Sequence, residues 1–585
     1  MPKLSPHAMS MLTMEKQPLR CRQAITNLQS SLVALLAAVY CVSHAAGFAE
    51  PPHWHAGFIR RRDPTKTTTL YSTPTDNVYN YELFSLAPMM GHTNRHYHYF
   101  FRLLSTSTHL FTEMTPSSQI VRAFQRARAI YLPAADLHKD IHVEEILQVI
   151  QRIRENPARE YQLQQGEREV LTLQQLVGTN VPGPVALQLG GRDPVTLGLA
   201  AAIGSAFGDY DSINLNCGCP SNAVGGRSGG CALMREPETV ARCVEAMNTQ
   251  TRELSRGVTG NCPLITVKHR LGVRDAATFD AKGDRSKDDA EAFEECSNFV
   301  RVVSLGGFVS KFHVHARLGL LGEFENDKDE KHQTLWVPSE DNKSSSHTAS
   351  VRIKIDHKRE QERANRRARK ATIANRQVPP LRPNVVARLA DEFRQFEFVS
   401  NGGIQSLSDV ERIVDNGLLG KLNNRVVGGM VGRLGINHPC SFAMADQLWE
   451  NRISSMASDF SLLETRRPSR GEVLRDFIRY CDTEEDRLMS MGVAAGTIEV
   501  LRRRLIAVPF HLFVGEDGND DFQRSIKKLK NKTDKVKASS ILSGAASFVP
   551  LSTLKKCVDD FVSWDDVAKY ECGLKRGSAM QRIIY

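Results

Sequence analysis

Apolar and polar residues alternate from Ser212 to Asn216, a pattern typical of a β-strand whose two faces meet different surroundings. Gly218 and Pro220 follow and end the strand. Cys219 therefore lies just beyond the carboxyl end of a predicted strand. A thiol at such a position is either a reactive group or a small buried side chain at a turn, and this stretch alone leaves both interpretations open.

Comparable short apolar stretches recur along the chain, and segments with helical patterning lie between most of them. Counted from Leu83 there are eight: Leu83–Pro88, Leu110–Met114, Val185–Leu189, Ile213–Asn216, Leu264–Val267, Phe312–Val314, Phe398–Ser400 and Val426–Val431. Eight alternating units favour a closed (β/α)8 barrel, the TIM barrel of the α/β class, over an open doubly wound sheet. The carboxyl ends of the strands then form one mouth, where the catalytic groups of such barrels lie.

The chain of 585 residues is longer than one ordinary domain. We expect a barrel domain over residues 81–455, with insertions at about 121–183 and 324–374, and a C-terminal helical domain over residues 456–585. The second insertion is rich in Lys, Arg, Asp, Glu and Ser and lacks an apolar pattern, so we expect this long charged insertion to be disordered.

Residues 1–80 have the composition of a disordered N-terminal leader. The apolar run from Leu32 to Ala46 is too short for a confident membrane span, and Ser43-His44-Ala45 within it resembles a cleavage site. A basic, acid-poor tract follows. We expect the leader to direct the protein to an organelle, a plastid or a mitochondrion, with no stable membrane association of the mature protein; a cytoplasmic protein with a disordered N-terminus is the alternative.

Charge and cysteine content narrow the chemistry only slightly. The net charge of +10, from 76 Lys and Arg against 66 Asp and Glu, is compatible with a polyanionic partner. The 12 Cys are scattered without CxxC pairs, which indicates free thiols in a reducing compartment. Cys217, Cys219 and Cys231 lack a second pair of ligands at zinc spacing, so no metal site is predicted.

Polar side chains and glycines follow most of the predicted strands. They are Gln188, Asn216, Lys268, His315, Asn401, Gly402, Gly403, Gly432 and Arg433. Gln188 can both donate and accept hydrogen bonds, and Lys268 can place a positive charge at the mouth. Glycines after the last two strands let backbone N–H groups approach a phosphate, whose charge Arg433 can neutralise.

Several of these stretches together resemble the tRNA-dihydrouridine synthases, and most closely their A-type subfamily. The matching segments are LAPMMGHTNRHYHYFFRLLS, LFTEM, PVALQLGGRDP, YDSINLNCGCPS, VKHRLG, FHVHAR, NRQVPPL, SNGGI and MVGRLGINHP. The resemblance extends from about Leu83 to Trp449, with a weaker continuation through PSRGEVLRDFIRYC and PFHLFVGEDG. It implies an enzyme that holds FMN in the barrel mouth and uses NADPH to reduce uridine to 5,6-dihydrouridine in the D-loop of tRNA, at positions 20/20a.

The resemblance also assigns roles to individual residues. Cys219, and not Cys217, matches the general acid that protonates C5 of the uracil ring. The FMN-binding residues that it implies are Pro88, Met89, Met90, Gln188, Lys268, His315, Asn401, Gly402, Gly403, Gly432 and Arg433. The substrate-binding residues that it implies are Asn216, Arg270, Arg317, Asn375 and Arg376. We expect a monomer that acts on tRNA.

Three features depart from the family pattern. Gly91-His92 stands where an acidic-aromatic pair is usual, a basic insertion precedes Asn375, and Asn519–Gln523 stands where basic residues are common. These departures concern the docking of tRNA and not the flavin chemistry. Two alternatives stay open: another FMN barrel enzyme that acts on free pyrimidines, such as a dihydroorotate or dihydropyrimidine dehydrogenase, and an RNA-binding barrel without catalysis.

Overall fold

The computed structural model describes residues 82–132, 141–155, 172–173, 176–177, 181–220, 229–257, 262–276, 278–280, 285–321, 379–415, 426–454 and 468–549. The predicted leader, the predicted charged insertion at 324–374, Asn375 and Arg376 lie outside these residues.

Eight parallel strands close into the barrel that the sequence predicts. These eight are among the eleven strands of the described residues: β1 Phe84–Leu86, β2 His109–Phe111, β3 Thr115–Pro116, β4 Val185–Gly190, β5 Ser212–Cys217, β6 Leu264–Arg270, β7 Val273–Asp275, β8 Lys311–His315, β9 Gly319–Leu321, β10 Glu397–Asn401 and β11 Val426–Val431. The ring follows the order β2-β1-β11-β10-β8-β6-β5-β4, and β2 pairs with β4 to close it. The (β/α)8 prediction is therefore confirmed. The sequence did not predict β3, which extends the sheet beside β4, or the small separate sheet of β7 and β9.

Helices surround the ring and continue beyond it. Those of the barrel region are α1 Arg95–Arg102, α2 Ser117–Tyr131, α3 Val143–Glu155, α4 Pro194–Phe207, α5 Pro237–Gly257, α6 Arg285–Ser304, α7 Pro383–Glu392, α8 Leu407–Asp415, α9 Arg433–Asn437 and α10 Ala445–Ser454. Those that follow are α11 Arg470–Ser490, α12 Ala495–Ala507, α13 Asn519–Leu529 and α14 Ala538–Ala546. Side-chain caps fix several helix starts. The Asn94 side chain accepts from His96 N over 3.0 Å, and Ser469 and Glu472 form a reciprocal capping box.

The strand side chains alternate between two cores. One small cluster consists of Ala87, Phe111, Ala186, Val399 and Met430. Their neighbours in sequence belong to a larger core between strands and helices: Leu86, Leu110, Val185, Phe398 and Val431. Since successive side chains of a strand point to opposite faces, the small cluster lies inside the ring.

Part of the stretch that we assigned to an insertion, 121–183, belongs to the helical layer of the barrel. Helix α2 begins at Ser117, and its Ile120 and Phe124 are fully buried in the main core. Arg128 Nη1 lies 2.6 Å from Glu145 Oε2, which ties α2 to α3. These two helices therefore pack as barrel elements, although the segment carries many polar residues.

Helices α11–α14 pack against the barrel through α1. The rings of Tyr99 and Tyr480 stack with centroids 3.9 Å apart, and His96 Nδ1 lies 2.8 Å from the Tyr480 hydroxyl. Arg95 pairs with Glu484 at the same contact. The apolar residues of both parts form one continuous core. Within the described ranges, no helix has the length and apolar character needed to cross a membrane.

Candidate active site

The strand register brings polar side chains side by side at the barrel mouth. Asn216 at the end of β5 is opposite Lys268 on β6, and His315 on β8 is opposite Asn401 on β10. Arg270, two residues beyond Lys268, is also opposite His315. Because β5, β6, β8 and β10 are consecutive in the ring, these five predicted residues meet at one part of the mouth.

A chain of buried hydrogen bonds connects β4, β5 and β6 at this level. Gln188 Nε2 donates to Asn214 Oδ1 over 2.8 Å, and Asn216 Nδ2 donates to Gln188 Oε1 over 2.9 Å. Asn214 Nδ2 donates in turn to Thr266 Oγ1 over 2.9 Å. The chain fixes the orientation of Gln188 and leaves it one N–H and one lone pair for a further contact.

The loop that carries Cys219 is held by side chains on both of its flanks. Asn216 Oδ1 accepts hydrogen bonds from the backbone N–H groups of Gly218, over 3.0 Å, and Cys219, over 2.9 Å. Arg270 Nε donates to Gly218 O over 2.7 Å. Cys231 N donates to Cys219 O over 2.8 Å, and a Cβ added at Gly230 would lie 2.2 Å from that oxygen. Both the N–H and the carbonyl oxygen of Cys219 are thus hydrogen-bonded, which fixes its backbone in the loop.

The thiols near the mouth differ in accessibility. Cys219 is half-buried, whereas Cys217 and Cys231 are fully buried. Burial raises the pKa of Cys217 well above its usual range and that of Cys231 to about 12. Of these three thiols, Cys219 is the one that a bound substrate can reach.

Lys268 is half-buried, and its ammonium group has an incomplete set of partners. Its Nζ donates to Asn401 Oδ1 over 3.2 Å, and Asn401 Nδ2 donates to Met430 O over 2.7 Å. Burial lowers the pKa of Lys268 to about 8, and the nearby charge of Arg270 acts in the same direction. A cation with this pKa titrates close to neutral pH, which is typical of a functional site.

The loop between β1 and α1 supplies an apolar edge of the mouth. Met89 N donates to Thr93 Oγ1 over 2.9 Å, which turns the chain back toward α1. Gly91 has a φ of +80°, a conformation that favours glycine. Met90 is 63% exposed and Pro88 is half-buried, so this edge presents apolar surface at the mouth.

Glycines line the mouth at the ends of β10 and β11, the strands that follow β1 in the ring. Gly402 has a φ of +114°, and a Cβ added there would lie 2.9 Å from both His315 Cδ2 and Leu381 Cδ2. Gly403 also has a positive φ, of +76°. The nearest atom to a Cβ added at Gly432 is Met89 Sδ at 3.8 Å, so Gly432 faces the β1–α1 loop. Side chains at these glycines would fill the mouth or strain its backbone.

Arg433 and Arg317 bring positive charge to this side of the mouth. Arg433 is exposed at the first position of α9. Burial lowers the pKa of the half-buried Arg317, and the charge of Arg433 lowers it further, so the two guanidinium groups are near each other. Arg317 also donates to the carbonyl oxygen of Pro379.

Three of the predicted site residues contact the protein itself in ways that the sequence did not indicate. Asn216 holds the Cys219 loop through its oxygen, and Asn401 holds Lys268. Arg270, only 4% exposed, donates to the carbonyl oxygens of Gly218 and Leu318. These contacts make the three residues supports for the reactive groups in addition to any contact with a ligand.

Two further residues at the mouth were missed by the sequence analysis. Asn214 lies two positions before Asn216, so period two places both on the same face of β5. Glu113 follows β2 just as the predicted residues follow their own strands. The same rule of strand ends would have included Glu113.

Comparison with known proteins identifies one family. Residues 85–336 match the family described as Dihydrouridine synthase (Dus). A tRNA-dihydrouridine(20/20a) synthase of Synechocystis sp. is 28% identical over 67% of this chain and 79% of its own, and one of Pseudomonas syringae is 28% identical over 66% and 76%. One of Xanthomonas campestris is 31% identical over 55% of this chain and 61% of its own.

A solved structure titled "Crystal structure of TcOYE with pHBA" aligns with 63% of this chain and 89% of its own, at 10% identity and a TM-score of 0.24, which is too low to support an argument. The family match covers the strand ends from β1 to β9, including Gln188, Cys219, Lys268 and His315. Over residues 85–336 the chain is thus similar to the dihydrouridine synthase family, and its relatives are tRNA-dihydrouridine(20/20a) synthases.

Proposed function

We propose that this protein is a flavin-dependent enzyme that reduces uridine to 5,6-dihydrouridine in tRNA. The observation that carries the proposal is the half-buried thiol of Cys219, held at the mouth by Asn216 and Arg270 beside the strand that carries Lys268. The names of the relatives, tRNA-dihydrouridine(20/20a) synthases, supply the substrate.

The residues of the mouth fit FMN. Gln188 has a free N–H and a free lone pair, as the hydrogen-bonding edge of a flavin requires. Lys268 supplies a cation that favours the electron-rich reduced form. Backbone without side chains at Gly402 and Gly403, with the nearby Arg433, suits the phosphate.

Each residue then has a separate task. FMN bound by these residues would take a hydride from NADPH and supply it to the uracil ring. Cys219 holds a proton on Sγ for C5 of the uracil ring and delivers it as a general acid. Asn216 and Arg270 fix the loop of Cys219, because a displaced acid loses much of its effect. Lys268, held by Asn401, keeps a positive charge next to the cofactor.

The substrate base must leave the stacked structure of the RNA to reach this mouth, since its reactive C5=C6 bond is otherwise covered. The exposed Met90 offers it an apolar surface. Exposed lysines near the end of α13 suit the RNA backbone: Lys527, Lys528, Lys530 and Lys532. Their charge supports phosphate contacts even though Asp521 and its neighbours stand where the family commonly has basic residues.

The finer points of the proposal are that the cofactor is FMN, the reductant is NADPH, the target is position 20 or 20a in the D-loop, and the enzyme is a monomer. The position rests on the names of the relatives alone. The site residues Asn375 and Arg376 stay proposals from sequence.

The test uses the purified full chain, FMN, NADPH and tRNA that lacks dihydrouridine. We expect a yellow protein, NADPH oxidation that requires tRNA, and a mass increase of two hydrogens at one D-loop uridine. Oxidation of NADPH with free uracil, or flavin reduction by dihydroorotate, would instead support a barrel enzyme for free pyrimidines. A flavin protein that binds tRNA but forms no dihydrouridine would support the non-catalytic alternative.

We also propose that residues 1–80 direct the protein to an organelle, on the basis of the apolar run and the basic, acid-poor tract. A fluorescent reporter fused to these residues should accumulate in a plastid or mitochondrion. A reporter that stays diffuse in the cytoplasm of the native cell would contradict this.

A further inference from the structure

The hydrogen bonds that join β4, β5 and β6 at the mouth form one series with a fixed direction. Its members, which we call the polar relay, are Asn216, Gln188, Asn214 and Thr266. Asn216 Nδ2 donates to Gln188 Oε1 over 2.9 Å, and Gln188 Nε2 donates to Asn214 Oδ1 over 2.8 Å. Asn214 Nδ2 donates to Thr266 Oγ1 over 2.9 Å. Each of these side chains is at most 8% exposed, so the relay lies away from water.

The direction of the relay is set at one end by the backbone of the Cys219 loop. Asn216 Oδ1 accepts from the N–H groups of Gly218 and Cys219, over 3.0 and 2.9 Å. The Nδ2 of the same amide must then turn toward Gln188. Because an amide carries its acceptor on one arm and its donors on the other, Gln188 and Asn214 are oriented in the same sense.

The other end of the relay is the hydroxyl of Thr266. Asn214 is fully buried and Thr266 is 1% exposed, so neither has surface to offer a ligand in the mouth. Without Thr266 Oγ1, the buried Nδ2 of Asn214 would lose its acceptor. Rotation of that amide would place Nδ2 against Gln188 Nε2, which sets two donors against each other. The Thr266 hydroxyl therefore acts on the orientation of Gln188 through Asn214.

We infer that Asn214 and Thr266 are positioning residues for the flavin: through the polar relay they hold the free N–H and the free lone pair of Gln188 in the arrangement that the cofactor edge requires. The inference rests on the proposed function, because it takes the mouth to be the flavin site. It also joins the loop of Cys219 and the flavin-binding amide of Gln188 into one buried unit, since the relay begins at that loop.

The measurement is the affinity of the full chain for FMN, followed by the change in flavin fluorescence on binding. Thr266→Val keeps the shape of the side chain but removes the acceptor, whereas Thr266→Ser keeps the hydroxyl. We expect FMN to bind about five- to tenfold more weakly to Thr266→Val, as loss of one buried neutral hydrogen bond predicts, and within about twofold of wild type to Thr266→Ser.

Thr251→Val and Ser212→Ala are the matched controls. Thr251 on α5 is fully buried, and its Oγ1 has no hydrogen-bond partner among the described residues. Ser212 lies on the same face of β5 as Asn214, and its Oγ is likewise buried without such a partner. Each control removes a buried hydroxyl outside the relay, so we expect both variants to bind FMN as the wild type does.

A double-mutant cycle tests whether Thr266 acts through Asn214. Asn214→Leu removes two links of the relay and leaves Gln188 Nε2 without its acceptor, so it should weaken FMN binding more than Thr266→Val does. Adding Thr266→Val to Asn214→Leu should cause no further loss, because the path from Thr266 to Gln188 is already broken. Independent roles of the two residues would instead give the sum of both losses.

Unchanged FMN affinity in Thr266→Val would overturn the inference, as would additive losses in the cycle or an equal loss in Thr251→Val or Ser212→Ala. If Thr266→Val does not fold, Asn214→Leu decides in its place, and wild-type affinity in that variant overturns the inference. These results are distinct from a failure of the proposed function. If the wild-type chain binds no flavin, the proposed function fails; if it binds FMN and all variants bind it equally, only the inference about the relay fails.

Discussion

The two ends of the barrel treat buried charge in opposite ways. At the amino ends of the strands, which we call the floor, Glu82 Oε1 lies 2.9 Å from His313 Nε2, and Glu82 Oε2 lies 3.5 Å from Lys311 Nζ. Lys311 Nζ is in turn 3.3 Å from Glu397 Oε2. Burial alone would raise the pKa of Glu82, but His313, His109 and Lys311 hold it well below its usual range.

At the mouth, no opposite charge outweighs the effect of burial on the pKa values. Burial lowers the pKa of Lys268 to about 8 and raises that of Glu113. Each charged group of the floor therefore has an opposite charge beside it, whereas the mouth keeps charged groups in surroundings that disfavour their charge. The first arrangement stabilises the fold, because an unpaired buried charge would destabilise it, and the need of a ligand for those charges explains the second. The floor should govern stability and the mouth should govern chemistry.

The largest effect on stability should come from the floor. Glu82→Ala leaves the buried Lys311 without its most buried partner, so we expect the free energy of unfolding to fall by about 3–5 kcal/mol. Glu397→Ala is the control: that side chain is 39% exposed, and its loss should cost no more than about 1 kcal/mol. Urea unfolding measures both. Equal losses would show that the floor is not a buried ion-pair cluster.

The pH dependence of the same variants sharpens the test. Because the pKa of Glu82 is lowered in the fold, its contribution is present above the unfolded-state pKa of about 4.5 and is lost as the pH falls through the lower folded value. The wild type should therefore lose more stability in acid than Glu82→Ala does. A steeper acid loss in the variant would contradict the account.

A change at the mouth should have the reverse consequence. Lys268→Met removes a half-buried cation whose charge its surroundings disfavour, so we expect stability to be kept or raised, while flavin reduction by NADPH slows about tenfold or more. In the wild type this step should decline above pH 8 as Lys268 loses its proton, and the variant should lack that decline. Lys287→Met, at a side chain 76% exposed, is the control. Loss of stability without a change in flavin chemistry would make Lys268 a structural residue.

The smallest effect should come from the helices beside the mouth. Lys527 lies 5.2 Å from the ring of Phe510 and is exposed, as is Lys528. Replacing both lysines by Gln should weaken tRNA binding several-fold and reduce the slope of its salt dependence by about one per lysine. Arg256→Gln, at the exposed end of α5, should leave both quantities unchanged. An unaltered salt slope in the double variant would remove these lysines from the RNA surface.

The sequence predicted the ring because the stretches in which apolar and polar residues alternate, ended by Gly or Pro, form strands in the structure. Ser212–Cys217 is an example. The sequence did not indicate that α2 belongs to the barrel, because arginines and glutamines surround its buried Ile120 and Phe124. It also missed β7 and β9, since β7 has one apolar residue beside Arg274 and Asp275, and β9 begins at a glycine.

The position of the site followed from strand ends, but the partners within it did not. That Asn401 binds Lys268, or that Asn216 donates to Gln188, depends on the register between strands distant in sequence. Period two within one strand carries no information on that register.

The most direct test of the mouth as a catalytic centre follows the flavin of the full chain through its two half-reactions. Absorbance is recorded first during reduction by NADPH, and then as the reduced enzyme meets tRNA that lacks dihydrouridine. Cys219→Ala should keep its flavin and its rate of reduction but reoxidise on tRNA about 10²–10⁴-fold more slowly, because it lacks the general acid. Cys262→Ala, at an exposed thiol just before β6 on the floor side, should match the wild type in both steps. Reoxidation of Cys219→Ala at the wild-type rate would contradict the account and leave Cys219 a structural residue of its turn.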